Sequence, residues 1–82
     1  MTVTLLYFAV LRELVGTAEE TVSLPVDVRS VHSLRVWLEE RYAPLAGRLT
    51  SVRFACNEAF VTDDHALAER DVVALIPPVA GG

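Results

Sequence analysis

Polar and large apolar residues alternate at the start of this chain. In Thr2-Val3-Thr4-Leu5-Leu6-Tyr7-Phe8, the threonines mark one side and Val3, Leu5 and Tyr7 the other. A period of two is that of a β-strand, and the threonines turn their side outward. Leu6 and Phe8 share that outward side although both are apolar, a first sign of an exposed face that meets another protein. Ala9 to Val15 reads as a short helical turn closed by Gly16 as a C-cap. Glu20 to Leu24 forms a second strand that stops at Pro25, completing a hairpin.

The pattern then changes period. Ser30 is placed as the N-cap of a helix over Val31 to Tyr42, in which Val31, Leu34, Leu38 and Tyr42 form one stripe and Trp37 flanks it. Arg35, Glu39, Glu40 and Arg41 fall on the side left to solvent. Residues 44–51 read as an irregular connection. Val52 to Cys56 returns to strand, with Val52, Phe54 and Cys56 on one face. Asn57-Glu58 makes a tight turn into a short strand at Phe60-Val61, and Asp63-Asp64 begins another turn. The apolar run Val72 to Ile76 is the last strand. The order predicts an α+β domain: a mixed sheet of about five strands with one main helix on one face and the first and last strands parallel at its centre, the ubiquitin-like β-grasp. Residues 1–77 form this domain, and residues 78–82 are expected to be a flexible tail.

Eighty-two residues suffice for one small domain. With Cys56 as the only cysteine no internal disulfide can form, and His32 and His65 read as isolated from each other and from Cys56. Cys56 is therefore read as a small apolar core residue. The net charge is −4 and every basic side chain except histidine is arginine, without a basic stripe, so nucleic acid is not an expected partner. Without lysine the chain cannot build lysine-linked polymers of itself. No signal peptide and no membrane-spanning run are read, which makes the cytoplasm the expected compartment. Apolar residues make up 52 % of the chain, more than so small a domain can hide. Glu19-Glu20, Glu39-Glu40 and Asp63-Asp64 are adjacent pairs that point apart on a strand or helix, so they read as solvated surface rather than as a catalytic dyad. No enzyme active site is expected within the chain.

The chemistry is concentrated in Leu75-Ile76-Pro77-Pro78-Val79-Ala80-Gly81-Gly82. Pro77 and Pro78 lack an N–H, so they end the sheet ladder and hold the chain extended. Gly81 and Gly82 carry no Cβ and can enter a passage too narrow for side chains. Extended, the stretch from Pro77 reaches about 20 Å at most. A carboxylate at its tip is ionised at neutral pH and is a poor electrophile. Adenylation by ATP gives it a leaving group, a sulfur donor displaces AMP, and the thiocarboxylate that results is a nucleophile and a sulfur carrier.

These residues resemble the small subunits of molybdopterin synthase, ubiquitin-like sulfur carriers of molybdenum cofactor biosynthesis (the MoaD family). The likeness runs the whole length. It is carried by Leu6-Tyr7-Phe8-Ala9 with Leu11-Arg12-Glu13 and Gly16, by Ala55-Cys56-Asn57, and most specifically by Asp71 through Gly82 with its Pro-Pro-Val-x-Gly-Gly ending. The resemblance implies that Gly82 is the residue adenylated and converted to a thiocarboxylate, with Gly81 its slim neighbour. It implies two partners, a ubiquitin-activating-like adenylyltransferase and a synthase large subunit. In the active site of the latter, sulfur passes to cyclic pyranopterin monophosphate within a heterotetramer. No permanently bound cofactor is implied; ATP is used by the activating enzyme. The apolar interface maps onto Phe8, Phe60 and Ile76, followed by Pro77, Pro78 and Val79. The chain departs from the family where Arg70-Asp71 replaces a common Gly-Asp, where Glu58 rather than Gly follows Asn57, and where Cys56 replaces an aliphatic residue. The same tail would also serve a sulfur carrier for thiamine, tRNA thiolation or cysteine synthesis, or a ubiquitin-like protein modifier. An inert β-grasp binding module is the remaining alternative.

Overall fold

The computed structural model describes residues 1–78. Five strands form one mixed sheet: β1 (Thr2–Tyr7), β2 (Glu19–Ser23), β3 (Arg53–Cys56), β4 (Ala59–Val61) and β5 (Val72–Ile76). Their order across the sheet is β2-β1-β5-β3-β4. β1 and β5 pair in parallel at the centre, and every other pairing is antiparallel. Two helices, α1 (Val10–Val15) and α2 (Val31–Arg41), complete the β-grasp with two short 3-10 turns at Ala43–Leu45 and Leu49–Ser51. The expected elements are therefore all present, with the end of β1, the start of α1, both ends of β2, the end of α2 and the start of β4 each differing by one residue, and Val52 lying just before β3 rather than in it.

Strand alternation decides which residues make the core. Val3, Leu5 and Tyr7 of β1, Val73 and Leu75 of β5, and Phe54 of β3 all point under α2 and are almost wholly buried. They meet Val31, Leu34 and Leu38, spaced along one side of the helix. Burying each such side chain stabilises the fold by about 1.5–3 kcal/mol relative to leaving it in water. The connection read as irregular adds to this core, since the 3-10 turns bury Leu45 and Leu49.

Local chemistry fixes the element ends. Ser30 caps α2 as expected, its Oγ accepting the Ser33 N–H at 3.2 Å. Ser33 Oγ in turn accepts the Ser30 N–H at 2.9 Å, which makes a reciprocal capping box with serine in the place usual for Glu or Gln. Gly16 ends α1 in the left-handed region (φ 95°), donating its N–H to Arg12 O at 2.9 Å. The two-residue turn between β3 and β4 has positive φ at both Asn57 (50°) and Glu58 (72°), as the right-handed twist of a tight hairpin demands.

Several charged or titratable residues read as solvated or isolated have partners in the fold. Glu20 faces inward on β2, where Tyr7 and Tyr42 both donate their hydroxyls to its Oε2, at 2.6 and 2.5 Å, and Arg41 lies 3.6 Å from Oε1. Arg35 is only 16 % exposed. Its guanidinium lies over the Phe54 ring and donates to the carbonyls of Leu49 and Val52 and to Asp63 Oδ1. Asp63 also lies 3.5 Å from His32, so neither that acid nor that histidine is without a partner. Glu39 accepts the Leu49 N–H at 3.2 Å. In each case the partner comes from another part of the chain.

Candidate functional site: the open face of the sheet

Among the described residues, no helix lies over the side of the sheet opposite α2. Its central row runs straight across four strands: Leu6 of β1 pairs with Ala74 of β5, Ala74 with Ala55 of β3, and Ala55 with Phe60 of β4. Two alanines side by side leave a shallow floor between larger neighbours. Phe8, just past the end of β1, is 47 % exposed, and Phe60 is 54 % exposed. Leu6, Phe8, Ala55, Phe60, Val72, Ala74 and Ile76 together line one apolar depression, with Glu58 at its rim. Aromatic and aliphatic side chains arranged around a concave floor form a surface suited to a protein partner.

The structure places Phe8, Phe60 and Ile76, the three residues to which the resemblance assigns the interface, around this one depression. Pro77 and Pro78 lie elsewhere: they line a neighbouring groove with Val10, Leu11 and Leu14 of α1, together with Gly47, Arg48, Ser51 and Val52. Val79, Gly81 and Gly82 lie outside the described residues. Sequence reasoning missed Ala55, Ala74 and Val72 as parts of the depression. Following the second parity of β3 and β5, rather than only the buried one, would have found them.

One further residue on this face escaped the sequence reading. Arg53 shares the outward parity of Ala55 and pairs with Ile76, the last residue before Pro77. Its guanidinium carbon sits 3.8 Å from the centroid of the Phe60 ring, a stacked cation–π arrangement on the exposed side of the sheet.

A second cluster lies where β3 and β5 meet the loop before β5. Candidate donor atoms of Cys56, His65 and Asp71 all fall within 4.8 Å of one another, which corrects the expectation that the cysteine and this histidine are isolated. Asp71 is 9 % exposed. Its Oδ1 accepts Asn57 Nδ2 at 2.9 Å and its Oδ2 accepts the Ala68 N–H at 2.8 Å. Asn57 also accepts the Val72 N–H at 3.0 Å, which ties the hairpin turn to the start of β5. Burial, followed by the neighbouring Asp71, pushes the Cys56 thiol up to about 11 and keeps it protonated at neutral pH. With both carboxylate oxygens engaged and the thiol protonated, this cluster holds the loop in place.

A family model described as the ThiS family matches residues 5–82. The molybdopterin synthase sulfur carrier subunit of Escherichia coli (strain K12) is 39 % identical over 80 residues, covering 94 % of this chain and 95 % of that protein. The molybdopterin synthase sulfur carrier subunit of Homo sapiens is 34 % identical over 85 residues, covering 98 % of this chain and 93 % of that protein. Among solved structures, the HVO 2177 protein of Haloferax volcanii superposes with a TM-score of 0.85 at 32 % identity. The match covers 100 % of this chain and 87 % of that one.

Proposed function

Because the chain belongs to the ThiS family, we propose that it is the sulfur carrier subunit of a molybdopterin synthase. The observation that carries this reading is the continuity of β5. The strand whose outward residues Val72, Ala74 and Ile76 floor the apolar depression leads directly into Pro77-Pro78 and the Val-Ala-Gly-Gly sequence. A partner seated on the depression stands next to the root of that tail. The names of the relatives similar along nearly the whole chain support the same reading.

In this reading Gly82 carries the working carboxylate. A ubiquitin-activating-like adenylyltransferase transfers AMP from ATP to it, with release of pyrophosphate. A sulfur donor then displaces AMP, so that one terminal oxygen is replaced by sulfur. The tail, residues 78–82, enters the active site of the large subunit, where the thiocarboxylate sulfur attacks cyclic pyranopterin monophosphate. Gly81 and Gly82 present no side chain to the walls of that passage. The β-grasp body contributes binding energy and aim; the reacting groups are its terminal carboxylate and the partner's active site.

Intact mass spectrometry of the protein isolated with its natural partners tests the proposal. The expected result is a species in which one oxygen at Gly82 is replaced by sulfur, converted back to the carboxylate when the large subunit and cyclic pyranopterin monophosphate are added. A protein that never acquires sulfur in the presence of ATP, the activating enzyme and a sulfur donor overturns it.

A further inference from the structure

What sets Arg53 apart from the other arginines that lack an acidic partner among the described residues is its place, over the Phe60 ring and paired with Ile76 on the open face. Arg35 is paired with Asp63, and Arg41 lies beside Glu20. Arg53 has no acidic partner and no side-chain hydrogen bond among the described residues, yet it stands on the open face against Phe60 and next to Ile76. Water now solvates its guanidinium. A partner that covers the depression removes that water, and a charge stripped of solvent without a counter-charge is strongly disfavoured. The guanidinium is held 3.8 Å over the Phe60 ring and has no side-chain hydrogen bond among the described residues, so its N–H groups are open to a carboxylate, which a guanidinium can engage through two parallel hydrogen bonds.

We propose that Arg53 is a specificity residue of the docking face, pairing with a carboxylate that the synthase large subunit presents beside the root of the tail. The inference rests on the function proposed above and names the chemistry of that partner's surface. The sign is informative. A chain of net charge −4 attracts basic surfaces in general. Arg53 demands an acid at one point within the apolar contact, so it selects against partners that are merely basic or merely apolar. Its position next to Ile76 puts this selection on the row from which the chain leaves for the tail.

The test is calorimetric titration of the full chain onto the large subunit of the same organism, with wild type, R53Q and R53E compared. Arg53 is exposed, so both variants are expected to keep the wild-type melting temperature. Loss of the cation is expected to weaken binding about 30-fold or more for R53Q, and further for R53E, because the partner's carboxylate is left buried and unpaired. The salt dependence of binding should be shallower for R53Q than for wild type. Replacing the facing acid of the large subunit by arginine should restore affinity to R53E. Binding of both variants within about threefold of wild type overturns the inference while leaving the proposed function intact. Failure of the folded wild-type chain to bind the large subunit at all overturns that function and this inference with it.

Discussion

The two faces of one sheet are built from neighbouring residues of the same strands, yet they follow opposite rules. Leu5, Tyr7, Val73 and Leu75 point under α2 and are shut away from water. Leu6, Phe8, Ala74 and Ile76, each one position along, point to the uncovered side. On the covered face the charged groups Glu20 and Arg35 are held by partners, Glu20 by two tyrosine hydroxyls and Arg35 by two carbonyls and an aspartate, with only the buried Nε of Arg35 left without one among the described residues. On the open face Arg53 has none among the described residues, and large apolar side chains remain in water. A period of two thus lets a short chain separate the residues that hold the fold from those free to meet a partner.

Adjacent residues of β5 give the strongest test of that separation. Leu75→Ala removes a fully buried side chain and is expected to cost about 2–5 kcal/mol, seen as a large drop in the denaturant midpoint. Ile76→Ala, one residue on, is expected to cost less than about 1.5 kcal/mol in the same measurement, because its side chain is only half-buried. It should nevertheless weaken binding to the large subunit. Equal loss of stability in the two variants would break the division between the faces.

Asp71 is the charge that joins the two halves of the comparison, since it sits immediately before β5 and anchors the turn at Asn57. Burial alone would raise its carboxyl. The Ala68 N–H, the Asn57 amide and the Cys56 thiol outweigh that and hold it below its ordinary value of 3.8. A carboxyl depressed in the folded state stabilises the protein above the ordinary value, and that contribution is lost as pH falls through 3.8 toward the folded one. Asp71→Asn turns one acceptor into a donor facing another donor. It should cost about 1–3 kcal/mol at neutral pH and flatten the decline in melting temperature below pH 4. An unchanged acid profile in the variant would assign the acid sensitivity to other carboxyls, of which Asp63, held low by the Arg35 guanidinium, is the first candidate.

The difference between what could and could not be read in the sequence follows from range. Strands β1 and β5, the cap at Ser30 and the turn at Asn57 declare themselves through spacing of two or of a few residues, and the structure has them where the spacing puts them. The apolar outward positions Leu6 and Phe8 were legible for the same reason. The roles of Glu20, Arg35 and His65 were not. Arg35 occupies a position that helical parity sends to solvent, and only the return of residues 49–52 alongside α2 supplies the carbonyls that hold it. Cys56 and His65 are brought together by the loop before β5, which no local pattern encodes. Nothing in the local spacing singles out Arg53. Its meaning depends on the ring of Phe60 across β4 and on the pairing of β3 with β5.

The smallest expected effect lies at the edge of the open face and runs in the opposite direction. Arg70 stands where the resemblance leads one to expect glycine, and its φ of 70° lies in the left-handed region. A non-glycine residue there is strained by roughly 1–2 kcal/mol, offset partly because glycine leaves more freedom to the unfolded chain. What holds Arg70 in place is backbone: its N–H donates to Thr2 O at 2.7 Å, and the next residue is the anchored Asp71. Those bonds do not need a side chain. Arg70→Gly should therefore keep them and raise stability by about 0.5–1 kcal/mol, measured as an increase in denaturant midpoint with unchanged slope. Neither the core under α2 nor the depression on the other side includes Arg70, so binding to the large subunit should not move. A loss of stability in this variant would show that the arginine side chain contributes more than its backbone costs, and that the strain at this turn is compensated locally.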